Sequence, residues 1–205
     1  MRLYDTPRAP NPRRVRIFFA EKSFTPDEVI AVDIMKLEHK GDAVRSAIPF
    51  QRVPTLVLDD GTVIAESVAI CRYVEEALKP EPNLFGRDAK ERAIVEMWQR
   101  FAEMFLFLHV AQVFRHLHPA MAELEVPQVP AWGEVNRSRA LDSLALLDRE
   151  LGNRPYLAGD RFTVADITAL VAVDFMRPMK WRIPDELSHV KRWHADVSAR
   201  PSAVP

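Results

Sequence analysis

The residues best suited to chemistry fall at two places, Glu66-Ser67 and Asn11 followed by Pro12, Arg13 and Arg14. Glu66-Ser67 closes a β-rich run and opens a helical one, with Ser67 placed to act as N-cap. A serine and an adjacent carboxylate at a helix N-terminus suit a small ligand carrying both a carboxylate and an amine. Helix amides and the Ser67 hydroxyl take the carboxylate, and Glu66 takes the ammonium. Those are the two contacts a γ-glutamyl group needs. Asn11-Pro12 reads as an N-cap followed by proline at the first helical position, and capping alone would account for it. Arg13 and Arg14 then fall in the first turn, where the helix dipole disfavours cations. Positive charge there makes sense if an anion binds nearby.

Other reactive side chains have plainer explanations. Cys71 sits one turn after Ser67 without a CxxC partner and reads as a small core residue. His109, His116 and His118 lack the spacing and the carboxylate or cysteine that would complete a metal set, so no metal is expected. Phe101, Met104, Phe105 and Leu108 form an apolar stripe suited to core packing, or to lining a pocket for a hydrophobic substrate.

The elements that position these residues follow from periodicity. Residues 1–79 alternate strand and helix signals in the order βαβαββα. They give a first strand over Met1–Tyr4, a helix from Pro12 to about Lys22, strand-like Glu28–Asp33 and a short helix over Asp42–Ala47. The stretch QRVPTLVLDDGTVIAESVAI, residues 51–70, then predicts a hairpin. Pro54 belongs at the first position of its strand, and Asp60-Gly61 is the pair a two-residue turn with positive φ demands. A helix over Ser67–Leu78 ends this half. Residues 80–87 form a linker containing Pro80 and Pro82.

Residues 88–205 show helical periodicity only. A helix runs from about Asp88 to His118, and Pro119, Pro127 and Pro130 mark an irregular segment. Ala140, Leu144, Leu147 and Leu151 share a helix face that Gly152 stops. Thr163 and Asp166 form a capping box with Asp in place of the usual Glu, and a last helix carries Val190, Trp193, His194 and Val197. The expected architecture is α/β followed by all-α.

Composition narrows the function classes. A formal net charge of −1 over 205 residues gives no global field for nucleic acid or an anionic membrane. The basic cluster Arg8, Arg13, Arg14 and Arg16 has no companion aromatics to stack bases. The longest apolar stretch, Met104–Phe114, is interrupted by His109 and Gln112 and is too short to span a bilayer. The N-terminus lacks the apolar core of a signal peptide, and a single cysteine fits a reducing compartment, so a cytoplasmic location is expected.

Four segments in order, NPRRVRIFFAEK, the Val-Pro and Glu-Ser-x-Ala-Ile flanking the hairpin, LFGRD, and YLAGDRFTVADI, resemble the cytosolic glutathione transferase family over nearly the whole chain. The resemblance implies a thioredoxin-like glutathione-binding domain over residues 1–79 and a helical bundle over 88–205, usually as a homodimer. It implies glutathione as co-substrate, with a small hydrophobic electrophile, disulfide or peroxide as the second substrate, in a detoxification role. Glu66 and Ser67 then hold the γ-glutamyl end. Val53 before a cis Pro54 offers backbone groups to the cysteinyl part, and His39 and Lys40 meet the glycyl carboxylate. Phe50, a large aromatic in the loop IPFQR, matches a residue that some relatives insert into the neighbouring subunit. A non-catalytic interaction protein that kept the fold is the alternative, but it would gain nothing from an ammonium–carboxylate clamp.

The family's thiolate-binding hydroxyl is replaced here by Ala9. Ionising a thiol at neutral pH requires about two pKa units, ~2.7 kcal/mol. A helix N-terminus supplies ~0.3–2 kcal/mol and one hydrogen bond to a charged group ~1.5–3 kcal/mol. The Asn11 amide with helix amides behind it can therefore suffice. Related bacterial enzymes of the family also carry Asn at this place, so Asn11 is the first candidate, ahead of Thr6 and Tyr4. Loss of the hydroxyl points away from vigorous aromatic conjugation and toward disulfide or peroxide chemistry.

Overall fold

The computed structural model describes residues 1–45, 48 and 50–203, which fall into two compact units divided between residues 83 and 84. In the first unit the strands are β1 (Arg2–Asp5), β2 (Glu28–Ala31), β3 (Thr55–Val57) and β4 (Val63–Ala65). The helices are α1 (Pro10–Glu21), α2 (Asp42–Arg45) and α3 (Ser67–Tyr73), which continues as a wider turn over Val74–Leu78. The sheet order is β2-β1-β3-β4, with β1 and β2 parallel and the other pairs antiparallel. The end of the expected short helix, at residues 46 and 47, lies outside the described residues.

Register fixes which loops meet. Tyr4 pairs with Thr55, and Thr55 pairs with Ala65. One step beyond those pairs, the C-terminal ends of β1 and β4 and the N-terminal end of β3 share one edge of the sheet. Parallel β2 ends there too, held by the Val32 N–H donating to the Asp5 C=O at 2.8 Å. The buried cluster Tyr4, Val32, Ile48 and Val57 lies in this unit. Tyr4 is thus core, which removes it from the candidates for the sulfur.

The hairpin turn is longer than expected. The Gly61 N–H donates to the Leu58 C=O at 3.0 Å and the Leu58 N–H to the Thr62 C=O at 2.9 Å. Gly61 alone takes positive φ, 84°, and Asp60 instead accepts the Thr62 N–H on its carboxylate at 2.8 Å. This is a three-residue loop, a turn over Leu58–Gly61 whose last residue is the left-handed glycine, rather than a two-residue turn.

The second unit contains α4 (Ala89–Phe101), α5 (Leu108–Leu117), α6 (Pro130–Leu151), α7 (Val164–Asp174) and α8 (Ser188–Ser198). A wider turn over Ala102–Phe107 joins α4 to α5, so one helical run spans most of the predicted 88–118 segment. Pro130 starts α6 as its first residue rather than belonging to irregular chain, in keeping with the preference for proline at that position. Gly152 ends α6 at φ −63°, so its stop does not use a left-handed backbone. Helix α7 is buried on nearly all sides, as expected of a helix apolar all round.

The capping box forms at the head of α7. Asp166 accepts the Thr163 backbone N–H and the Leu157 N–H, each at 2.9 Å, and also the Trp193 indole N–H at 2.9 Å. Burial pushes the Asp166 carboxyl up, against the pull of these donors. At the head of α4, Asp88 caps the Glu91 N–H at 2.8 Å, and Glu91 returns a bond to the Arg87 N–H at 2.8 Å. No helix among the described residues is long and apolar enough to cross a membrane.

Candidate functional site

Every expected site residue hangs from the same edge of the sheet. Asn11 follows the loop after β1, His39 and Lys40 follow β2, Val53-Pro54 precedes β3, and Glu66-Ser67 follows β4. The antiparallel registers place Pro54 opposite the step from Ala65 to Glu66. The Val53-Pro54 bond is cis.

The head of α1 differs from its sequence reading. The cap is Ala9, whose C=O accepts the Arg13 N–H at 3.2 Å, so Asn11 is the second helical residue and not the cap. Two prolines explain the shift. Pro10 and Pro12 are both compatible with a first turn, because neither position requires an N–H. Asn11 is half-buried and freed from a capping role. The prolines also leave Asn11 as the one backbone N–H donor among residues 10–12, so fewer helix amides stand behind its side chain than expected. The preceding loop is pinned by Arg16, which bonds both Asp5 carboxylate oxygens at 2.8 and 2.9 Å, the Thr6 C=O at 3.2 Å and the Pro7 C=O at 2.9 Å. Thr6 is buried beneath it.

At α3, Glu66 and not Ser67 occupies the cap position. Its C=O accepts the Ile70 N–H at 3.0 Å, which makes Ser67 the first helical residue. The amides of Ser67, Val68 and Ala69 precede that first intrahelical bond, as at any helix start. Glu66 has φ 69° and ψ 118°, a conformation costly for a residue with a side chain. Its side chain is exposed. Ser67 is 4% exposed, and its Oγ accepts a hydrogen bond from Arg14 Nη1 at 2.7 Å. Arg14 therefore lies in the second turn of α1, buried against α3. Ser67, one of its partners, lies 53 residues away, and no local pattern in the sequence marks the pairing.

His39 and Lys40 form a short 3-10 turn over Glu38–Lys40. Burial first, then the neighbouring Lys40 charge, lowers the His39 pKa, so the ring is neutral at pH 7. Its Nδ1 is buried and has no hydrogen-bond partner among the described residues. Lys40 is exposed. Cys71 lies fully buried in α3, where burial pushes its thiol far up, which excludes it as a nucleophile. His109 Nδ1 lies 2.7 Å from Asn136 Oδ1, and His116 Nδ1 accepts the Val129 N–H.

Comparison with known proteins fits this geometry. Residues 9–77 match the description "Glutathione S-transferase, N-terminal domain", and residues 133–201 match "Glutathione S-transferase, C-terminal domain". Glutathione S-transferase 2 of Saccharomyces cerevisiae is 37% identical over 204 residues, covering 98% of this chain and 87% of its own. Glutathione S-transferase F9 of Arabidopsis thaliana is 30% identical, covering 96% and 91%. Among solved structures, a glutathione S-transferase domain-containing protein of Marinobacter aquaeolei superposes with a TM-score of 0.94 at 41% identity, covering 100% of each chain. Gtt2 of S. cerevisiae superposes with a TM-score of 0.92 at 36% identity, covering 99% and 98%. With the thioredoxin-like sheet order, the helical second unit and these matches across both, the chain belongs to the cytosolic glutathione transferase family.

Proposed function

We propose that this protein is an enzyme that binds glutathione at the shared edge of the sheet and uses its thiolate on a second substrate. The observation that carries the proposal is the convergence there of Asn11, His39-Lys40, Val53-Pro54 and Glu66-Ser67 from four separate strand ends. The γ-glutamyl carboxylate lies against Ser67 and the first-turn amides of α3, and its ammonium against Glu66. The cis Val53-Pro54 element presents backbone groups to the cysteinyl unit. The glycyl carboxylate meets the Lys40 charge and a neutral His39, which can donate one N–H but adds no charge.

The thiol proton leaves to solvent, and Asn11 donates its amide N–H to the sulfur. With Pro10 and Pro12 removing two amides, the helix contribution sits toward the low end of ~0.3–2 kcal/mol, and Asn11 supplies most of the ~2.7 kcal/mol required. The thiolate then bonds to an electrophilic carbon as a halide leaves with the electrons of its C–X bond, to one sulfur of a disulfide as the other leaves as thiolate, or to one oxygen of a peroxide as the O–O bond breaks and the other oxygen leaves as alkoxide or hydroxide. Ala9 supplies no hydroxyl, which favours disulfide or peroxide chemistry over aromatic conjugation. A panel of electrophiles, disulfides and peroxides ranks the three, and fastest turnover on an aromatic halide would reverse that order.

The γ-glutamyl placement is tested by calorimetry. Glu66 is exposed, so its contact with the ammonium is worth less than a buried pair, up to ~1 kcal/mol, and Glu66→Ala weakens glutathione by up to about fivefold. Equal binding by wild type and variant would refute it. The proposal extends to a homodimer in the cytoplasm. The single buried cysteine suits a reducing compartment, and Phe50, 64% exposed, is a large ring in need of apolar cover.

A further inference from the structure

Asn11 can serve a sulfur only if the head of α1 stands at a fixed distance from the sheet edge, and the chain that joins the two is poorly suited to fix it. Between β1 and α1 the chain turns at Pro7 and Arg8. None of Thr6, Pro7 and Arg8 enters a backbone-to-backbone hydrogen bond of good geometry among the described residues. Pro7 has no N–H to give, and Pro10 and Pro12 remove two more in the first helical turn. The turn is held by a side chain instead. Arg16, a residue of α1 itself, reaches back past the helix start. Its Nη1 donates to both Asp5 carboxylate oxygens at 2.8 and 2.9 Å and to the Thr6 C=O at 3.2 Å, and its Nη2 to the Pro7 C=O at 2.9 Å. The Asp5 side chain is 10% exposed and that of Arg16 34%, so the pair is shielded from water on the strand side.

Both ends of this clamp are anchored. Asp5 is the last residue of β1 and pairs in register with Ala31 of β2, and its C=O accepts the Val32 N–H. The acceptor end is therefore tied to two strands. The donor end is tied to α1, because Arg16 and Asn11 stand on the same helix, less than about one and a half turns apart. The contact thus sets where Asn11 stands relative to the edge from which Val53-Pro54 and Glu66-Ser67 also hang. A lysine could not replace it, since acceptors on three successive residues need the planar fork of a guanidinium rather than a point charge. We propose that Arg16 is a positioning residue for the thiolate: by clamping Asp5, Thr6 and Pro7 it holds α1 so that the Asn11 amide meets the sulfur. This rests on the reading of Asn11 as donor to that sulfur. A misplacement of about 1 Å can cost about a hundredfold in rate, so a clamp that touches no ligand still governs turnover.

The test uses the intact chain with glutathione bound. Thiolate absorbance is titrated against pH for wild type, Arg16→Lys, Asn11→Ala and the double variant, with kcat, KM and melting temperature alongside. Arg16→Lys keeps the positive charge, so a change in its midpoint reports geometry. That midpoint should rise by about one pH unit and kcat at pH 7 fall about tenfold, while the KM for glutathione changes less than about twofold. In the Asn11→Ala background the same substitution should move the midpoint by less than about 0.3 pH units, because no amide is left to position. A folded Arg16→Lys with the wild-type midpoint overturns the inference, since a merely structural contact would lower the melting temperature alone. An equal rise in both backgrounds also overturns it, because Arg16 would then act without Asn11. If Arg16→Lys does not fold, Asp5→Asn decides. It loosens the hold on β1, so its midpoint should rise in the wild-type background and not in Asn11→Ala, and a midpoint that stays put overturns the role. An Asn11→Ala protein that titrates like the wild type refutes the Asn11 reading and the role of Arg16 with it. That result is seen in the single variant and is distinct from a failure of Arg16→Lys alone.

Discussion

At the scale of single residues, Asn11 and Glu66 stand out for opposite reasons. Asn11 is freed from capping, because Ala9 holds that position. An aspartate at the second helical position is favourable to the helix dipole, yet its negative charge would oppose a thiolate. Asn11→Asp is therefore expected to keep or raise the melting temperature while turnover falls, and Asn11→Ala should lose about ten- to hundredfold in rate at pH 7. Steady-state rates over a pH series, with parallel melting curves, check both. Glu66 carries strain instead. A non-glycine residue at φ 69° costs ~1–3 kcal/mol, more than the ~0.5–1 kcal/mol of chain entropy that glycine would add. Glu66→Gly should thus melt no lower than wild type and still lose glutathione affinity. A fall in stability with affinity intact would reverse the assignment of that backbone to ligand binding.

At the scale of elements, helix starts set the geometry, and their legibility varied for physical reasons. The capping box at Thr163 and Asp166 was readable because its signal is local and each group has its partner within three residues. The head of α1 was displaced by two residues, since Asn-Pro and Ala-Pro both satisfy the first-turn preference and only the observed bond from Arg13 to Ala9 separates them. The Asp60-Gly61 turn was located correctly but not its type, because an aspartate side chain satisfies the turn without positive φ. The Arg14–Ser67 contact had no sequence signal at all, since long-range pairing follows from the fold. The head of α4 yields two tests. Gly86 sits at φ 109°, and a Cβ there would come within 2.5 Å of the Arg92 nitrogen. Gly86→Ala should therefore destabilise by more than about 1 kcal/mol in chemical denaturation. The Arg161 guanidinium, 2.5 Å from Glu91, and then the Arg87 contacts hold the Glu91 carboxyl down to about 2. A depressed carboxyl stabilises the fold above its ordinary value near 4.5 and loses that contribution as pH falls toward 2. The melting-temperature gap between wild type and Glu91→Gln should be full at pH 6 and shrink across that window.

At the scale of the whole molecule, light scattering at micromolar concentration should return twice the 23.5 kDa chain mass, and Phe50→Ser should shift the distribution toward that single mass. The central claim is that a glutathione transferase lacking the usual hydroxyl ionises its thiol through an asparagine amide. Its direct test is a pH titration of thiolate absorbance with glutathione bound to the intact protein. The midpoint for wild type is expected about two units below the ordinary thiol value near ~8.5–9, with Asn11→Ala returning it at least one unit upward. A wild-type midpoint at the free-thiol value, or an Asn11→Ala curve that overlays the wild type, would contradict it.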